Sequence, residues 1–343
     1  MMQLSICMPS NRPFATSRRA IETALAYCET RNAILIVSDN SGDVEKREYW
    51  QRRSPKIKYL VSDGTDAMTN FMTAFLASET PFILPMGDDD EIKFNPKIPA
   101  FDFANLPSDH IGVRPITEIW TEEKGTIRVK NFAITSDHPV ERIIEYSQAA
   151  SGDNSAFYSV FRRSAYLDLM DLFNRHHPTK GAYCDWSQVT ALISYGKMAL
   201  DQGTLYRYNI SGWQSNLLIE KNILKAFTDA GLSEDAQKYE ALLRYLDIFV
   251  FISSRKSPPT QGEMDDVKAF LSGPVLGGFF STVSNRSNIY SETMRYLAEI
   301  AEKEQDTMGR FRIALLMIGQ LREDLKDRYL EYYKAALQYE GIV

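Results

Sequence analysis

Along the first hundred residues, short apolar runs alternate with stretches whose apolar positions recur every three to four residues. The runs are Leu4 to Met8, Ala33 to Val37, Ile57 to Val61 and one that opens at Phe82. They are largely apolar throughout, as expected of parallel strands covered on both faces. Between them, Arg18 to Cys28 puts Ile21, Ala24, Leu25 and Cys28 on one stripe. Asp66 to Ser78 does the same with Met68, Phe71, Met72, Phe75 and Leu76. Both spacings predict helices that face a core. Strand and helix in alternation predict a βαβ architecture.

Past residue 100 the rhythm changes. Ile111 to Trp120 and Thr126 to Ile134 read as two strands joined by the turn around Glu122-Glu123-Lys124-Gly125. Glu141 to Ala149 reads as a helix, Ala156 to Phe161 as a strand, and Ala165 to Phe173 as a helix. A helix is expected over Asp185 to Tyr195, then short strands at Met198 to Asp201 and Thr204 to Tyr208. From Leu217 on, nearly everything reads as helix. One helix, marked by Leu243, Ile248, Phe249 and Ile252, stops near Ser257-Pro258-Pro259. A short one spans Asp265 to Leu271, and longer amphipathic ones span Ser291 to Glu304 and Arg310 to Leu337. The expected organisation is an α/β part over residues 1–215, with halves 1–100 and 101–215, and an all-helical part over 216–343.

Composition narrows the function classes. With 343 residues, 44% apolar and 24% charged, the chain is ordinary for a folded protein with a large core. A net charge of −6 lacks the basic footprint of a nucleic-acid binder. Cys7, Cys28 and Cys184 are odd in number and far apart, which predicts free thiols and not a disulfide framework. No apolar run approaches the ~18 residues of a membrane-spanning helix, and the N-terminus lacks the pattern of a secretory leader. The expected location is the cytoplasm, with loose attachment to the inner face of the membrane left open.

The densest candidate chemistry is Gly87-Asp88-Asp89-Asp90, at the end of the run from Phe82. Adjacent carboxylates repel unless a cation sits among them, and carboxylate oxygens suit a hard divalent ion that also binds phosphate. Ligands of open α/β sheets bind beyond the carboxyl ends of the strands, which is where this triplet falls. Pro9-Ser10-Asn11-Arg12 follows the first run and reads as a polar turn or a phosphate contact. Asp39, before Asn40 and Ser41, reads as an Asx-turn or as an acceptor for a base N–H or a ribose hydroxyl. Tyr183-Cys184-Asp185-Trp186 opens a helix, so Asp185 is either its N-cap or a general base beside an aromatic platform. Gly152-Asp153-Asn154-Ser155 is a turn or an acceptor contact. His176-His177 lack metal-ligand spacing and read as a loop pair. No phosphate-binding Gly-Lys-Ser/Thr loop, Gly-x-Ser-x-Gly elbow or dinucleotide glycine fingerprint is present.

The order of these weak signals is specific. Pro9-Ser10-Asn11-Arg12, then Val37-Ser38-Asp39-Asn40-Ser41, then Gly64 and Asn70, then Gly87-Asp88-Asp89-Asp90 resembles the family 2 type glycosyltransferases of the GT-A fold. The likeness is strongest over about the first 100 residues and extends more weakly to residue 215. It implies a GT-A type nucleotide-sugar-binding mixed sheet flanked by helices, with the C-terminal all-helical part appended. It also implies a nucleotide-diphosphate-sugar donor, typically a UDP-sugar, and a bound Mn2+ or Mg2+. The reaction implied is inverting transfer to a hydroxyl of a glycan, polysaccharide or lipid-linked acceptor. Position by position, Asp39 matches the base-binding acid, Asp89 and Asp90 the metal ligands, and Asp185 the catalytic base. Pro9, Asn11, Arg12, Asn40, Gly64, Asn70 and Asp88 then surround the donor, while Trp186 and Asp153 face the acceptor.

The chain departs from the family pattern at three places. Ser10 runs directly into Asn11, Thr69 stands where an arginine often precedes the asparagine, and Gly87 replaces the first acid of the acidic motif. The lost phosphate contact would pass to Arg12 or Arg114. A sugar-nucleotide nucleotidyltransferase and a degenerate sugar-binding or scaffold protein are the alternatives. The helical part is expected to pack on the rest, to support a homo-oligomer, or to dock a partner enzyme or membrane surface.

Overall fold

The computed structural model describes residues 2–181, 184–285 and 289–342. The first half builds β1 (Leu4–Ser10), α1 (Phe14–Arg31), β2 (Ile34–Asp39), α2 (Val44–Trp50), β3 (Ile57–Val61), α3 (Ala67–Leu76) and β4 (Phe82–Pro85). Then come β5 (Glu91–Phe94), β6 (His110–Thr121), β7 (Gly125–Lys130), α4 (Pro139–Ala150), β8 (Val160–Arg162), α5 (Arg163–His176), α6 (Asp185–Tyr195) and β9 (Lys197–Asn209). Seven helices follow: α7 (Asn216–Asp229), α8 (Glu240–Ile252), α9 (Gln261–Ser272), α10 (Pro274–Asn285), α11 (Glu292–Lys303), α12 (Thr307–Ile318) and α13 (Glu323–Gln338).

All nine strands join one mixed sheet in the order β3-β2-β1-β4-β8-β6-β9-β5, with β7 paired to β6. The first four strands are parallel, and β8 runs antiparallel to both β4 and β6. Strand alternation divides the apolar side chains between two cores. Cys7, Ile36 and Ile83 join the core beneath α3 and α5, while Ile6, Met8, Leu35, Val37, Phe82 and Leu84 join the one beneath α1. The first of these cores continues without interruption through α8, α12 and α13. Helix starts follow capping chemistry: Asp43 caps α2, Asp66 caps α3 and Ser291 caps α11. All three cysteines are free thiols and buried. Among the described residues, no helix is long and apolar enough to cross a membrane.

Several expected elements differ in detail. Residues Ser155–Tyr158 form a 3-10 helix, so the strand expected from Ala156 begins only at Val160. The two short strands expected around 198–208 are one strand, β9, whose register against β6 shifts opposite Pro115/Ile116. The long helix expected over Arg310 to Leu337 is two helices, broken at Gly319-Gln320-Leu321-Arg322. The strand after the carboxylates, β5, and the helix α2 carried too little periodicity to be foreseen.

Candidate active site

Strand β1 is flanked by β2 on one side and β4 on the other. Successive connections therefore diverge at the carboxyl ends of β1 and β4, and a crevice opens there. Asp88 fills it. Its Oδ2 accepts hydrogen bonds from Ser10 Oγ at 2.7 Å and from the backbone N–H groups of Asn11 and Arg12, both at 3.2 Å. Its Oδ1 accepts from Arg12 Nε at 2.9 Å. Arg12 Nη2 reaches on to Asp89 at 2.7 Å. Arg12 is thus a cation paired with two of the three carboxylates. Burial works against the Arg12 charge, but Asp89 and Asp88 outweigh it and raise its pKa.

Asp39 ends β2 and is buried. Lys46 Nζ donates to its Oδ1 at 2.7 Å, and Tyr59 OH to its Oδ2 at 2.6 Å. Ser41 donates to it through both N–H and Oγ. Lys46 also donates to Ser10 Oγ (2.7 Å) and to the Arg12 carbonyl (2.9 Å). Asn70 is a second tie. Its Oδ1 accepts from Ser38 and Ser62, and its Nδ2 donates to the Ser10 carbonyl and to Asn40 Oδ1. Asn40 donates to the Thr65 carbonyl, across the turn in which Gly64 takes a φ of +74°. The loops after β1, β2, β3 and β4 are therefore one hydrogen-bonded body holding Pro9, Asn11, Arg12, Asp39, Asn40, Gly64, Asn70 and Asp88. Lys46 and Tyr59 were not legible in the sequence, because neither belongs to a motif and α2 carried no periodic signal.

Asp90 faces the other way. Tyr206 OH donates to its Oδ2 at 2.6 Å and the Asn209 N–H to its Oδ1 at 2.8 Å, both from β9. Burial, reinforced by the charge of Asp89, pushes its pKa up to about 7 against these two bonds. Asp89 lies between, with 35% of its side chain exposed. Burial raises its pKa and Arg12 opposes the rise. A Cβ on Gly87 would lie 2.8 Å from Asp90 Oδ2 and 3.1 Å from Asp89 Oδ1. A side chain at position 87 would therefore require the carboxylates of Asp89 and Asp90 to shift.

Asp185 is the first residue of α6. Asn154 Nδ2 donates to its Oδ2 at 2.9 Å, whereas its Oδ1 is buried with no partner among the described residues. Burial raises its pKa, and the Asn154 hydrogen bond holds the rise in check. It lines a cavity of about 380 Å³ with Asp153, Trp186, Tyr208 and Trp213. Asp153 is itself engaged, by Ser155 N–H and Oγ and by Lys130 Nζ at 3.2 Å. Tyr158 links this cavity to the carboxylates. Its ring lies 5.1 Å from that of Tyr206, the Asp90 partner, and 4.9 Å from that of Tyr208. Arg114 is buried beneath the Phe132 ring, 3.9 Å from its centroid, on the Asp153 side. Tyr183, which precedes this helix, lies outside the described residues.

His177, Cys184 and Asp247 approach within metal-ligand reach of one another. Their hydrogen bonds argue for a different role. His177 Nδ1 accepts from the backbone N–H groups of Thr179 and Lys180, which places the ring proton on Nε2 and directs it to Asp247 Oδ1 at 2.9 Å. A metal on Nε2 would need that proton removed while Nδ1 stays unprotonated, so the donor set does not fit an ion. Tyr329 of α13 donates to the same Asp247 oxygen at 2.9 Å. The cluster ties the loop before α6 to α8 and α13, and His177 is a buried strut within it.

A parallel βαβ half with a polar crevice at its switch point, joined to a second half carrying a partly buried carboxylate, is the layout of a nucleotide-binding group-transfer fold. Residues 5–169 match the family described as Glycosyl transferase family 2. The fold is GT-A: the crystal structure of S. aureus TarS 1-349 aligns with a TM-score of 0.52 and 13% identity, over 98% of this chain and 90% of that chain. The TarS 1-349 structure in complex with UDP-GlcNAc aligns with a TM-score of 0.50 and 13% identity, over 98% of this chain and 91% of that chain. No curated protein sequence matches the chain.

Proposed function

We propose that the chain is an inverting glycosyltransferase that moves a sugar from a nucleotide-diphosphate donor, in the first instance a UDP-sugar, to a hydroxyl of a glycan, polysaccharide or lipid-linked acceptor. One observation carries the reading. A half-buried carboxylate, Asp185, with one oxygen held by Asn154, lines an aromatic-walled cavity that Tyr158 connects to the carboxylate loop. The family 2 match supports the reaction class, and the complex known for TarS supports the donor class.

The crevice at β1 and β4 would receive the nucleotide. Arg12 is the phosphate ligand: a guanidinium suits a bidentate contact, and it can exchange Asp89 for a phosphate oxygen. Asp89 fits a hard divalent cation, Mn2+ or Mg2+, because its carboxylate is open where Asp88 accepts four hydrogen bonds and both oxygens of Asp90 accept from β9. Such an ion would neutralise charge on the leaving diphosphate as a Lewis acid. Asp90 would stand behind it as the second carboxylate. The Asp185 carboxylate would take the proton of the acceptor hydroxyl, with Asn154 fixing one of its oxygens. Trp186 would pack on the acceptor sugar. Attack from the Asp185 side, opposite the diphosphate, inverts the anomeric centre.

The test is transfer or donor hydrolysis with a panel of nucleotide sugars, with and without Mn2+. Asp185→Asn is expected to lower kcat by about 10²–10⁴-fold while UDP still binds, and Asp89→Asn to weaken metal-dependent nucleotide binding. Full transferase activity in Asp90→Asn and Asp185→Asn would sink the site assignment. Pyrophosphate release from a nucleoside triphosphate would favour a nucleotidyltransferase.

A further inference from the structure

Trp186 is a partition with a cavity on each side. On one side lies the cavity of Asp185. On the other lies a second cavity of about 420 Å³, lined by residues of α4, α6, α8, α9 and the start of α10. Gly152 and Trp186 line both, so the two spaces adjoin across one indole ring and one glycine. Gly152 takes a φ of +85° and is exposed where the two spaces adjoin, with no atom within 4 Å of a Cβ built there.

The two spaces differ in chemistry. The first sets Asp153, Asn154, Asp185 and Arg128 among aromatic and aliphatic walls. The second is walled by Ile143, Ile144, Ile248, Phe270, Leu271 and Val275. Its one charged wall residue, Arg244, is spoken for: it pairs with Glu240 at 2.5 Å, and its guanidinium lies 5.2 Å from the Trp186 ring centroid. Its volume falls in the range of ligand sites, which are concave and mostly apolar. An occupant of this space would be contiguous with whatever sits against Asp185.

We infer that this second cavity takes the apolar aglycone of the acceptor. The sugar to be extended stacks on Trp186 with its hydroxyl at Asp185, and an alkyl chain at its other end passes Gly152 into the space between α4 and α10. The inference rests on the glycosyltransferase reading and narrows its acceptor to a sugar carried on a hydrocarbon chain.

The experiment compares methyl and octyl glycosides of the same sugars by calorimetry, below the micelle concentration, on the full chain. UDP binding is measured in parallel. The octyl compound is expected to bind at least tenfold tighter than the methyl compound. Ile144→Trp, which fills the cavity from a partly exposed helix face, and Val275→Asp, which makes it polar, are each expected to erase that difference. Equal binding of the two glycosides, or an octyl preference that survives both variants, overturns the inference. If UDP binds and chain length has no effect, only this inference fails. If UDP does not bind, the reading beneath it fails as well.

Discussion

Lys46 has no exposed surface, yet each of its ammonium protons finds an oxygen: Ser10 Oγ, the Arg12 carbonyl and Asp39 Oδ1. It is therefore both the counter-charge of Asp39 and the brace of the loop that carries Arg12. Lys46→Met would leave Asp39 buried beside Tyr59 and Ser41 without its cation. Losing one partner of a buried pair costs about 3–5 kcal/mol, so urea unfolding should show a loss of that order. A midpoint unchanged from the native chain would contradict the pairing. Asp90 makes a second residue-scale prediction. Its folded pKa of about 7 lies above the unfolded value, so the folded state holds a proton that the unfolded state has released. Between the ordinary carboxylate range and pH 7, stability contributed by this group falls as pH rises. Asp90→Asn should raise the melting temperature of the metal-free protein at pH 8 and change it little near pH 4. An equal effect at both pH values would show that Asp90 titrates normally.

At the scale of elements, the start of α6 depends on helices far along the chain. The loop that precedes Asp185 is pinned by His177, His177 by Asp247 of α8, and Asp247 also by Tyr329 of α13. Asp247→Ala would leave two buried donors unpaired, at a cost of about 1–3 kcal/mol each. A fall in melting temperature is expected, with a loss of kcat in the folded fraction larger than any change in donor KM. Tyr329→Phe removes one hydrogen bond and should show a smaller version of both effects. Unchanged kcat in folded Asp247→Ala would mean that the strut does not position Asp185. This scale also shows where periodicity misleads. The amphipathic pattern runs on through Arg310 to Leu337, but the helix stops at Ile318 and restarts at Glu323. The break lets α12 and α13 both face α8, and the apolar phase of the sequence alone does not register such a turn.

For the molecule as a whole, the helical region is joined to the sheet by apolar contact. Cys7, Ile83, Phe173 and Leu192 belong to the same core as Phe249, Leu325, Tyr329 and Tyr332. A chain ending at Gln214 would expose that surface, and the expected outcome is loss of cooperative thermal unfolding. A soluble 1–214 fragment with a sharp transition and native-like UDP binding would show instead that the helices form an independent unit.

The sequence determined the parts whose signals are local. Apolar runs placed β1 to β4, and the stripes placed α1 and α3. The polar residues at strand ends singled out Asn11, Arg12, Asp39 and the carboxylates, because the carboxyl ends of parallel strands share one edge of the sheet. What the tertiary structure decided is who holds whom. The strand order set Asp88 against Ser10 and Arg12, and β9 brought Tyr206 and Asn209 to Asp90, more than a hundred residues away in the chain. Lys46 and the Asp247 strut are invisible to hydropathy for the same reason: their meaning lies in partners that only the folded chain brings within hydrogen-bond distance. The carboxylate triplet could be read from the sequence as one motif. Folding made it three environments: Asp88 is saturated by the loop after β1, Asp89 shares Arg12 with it and stays partly exposed, and Asp90 is buried against β9.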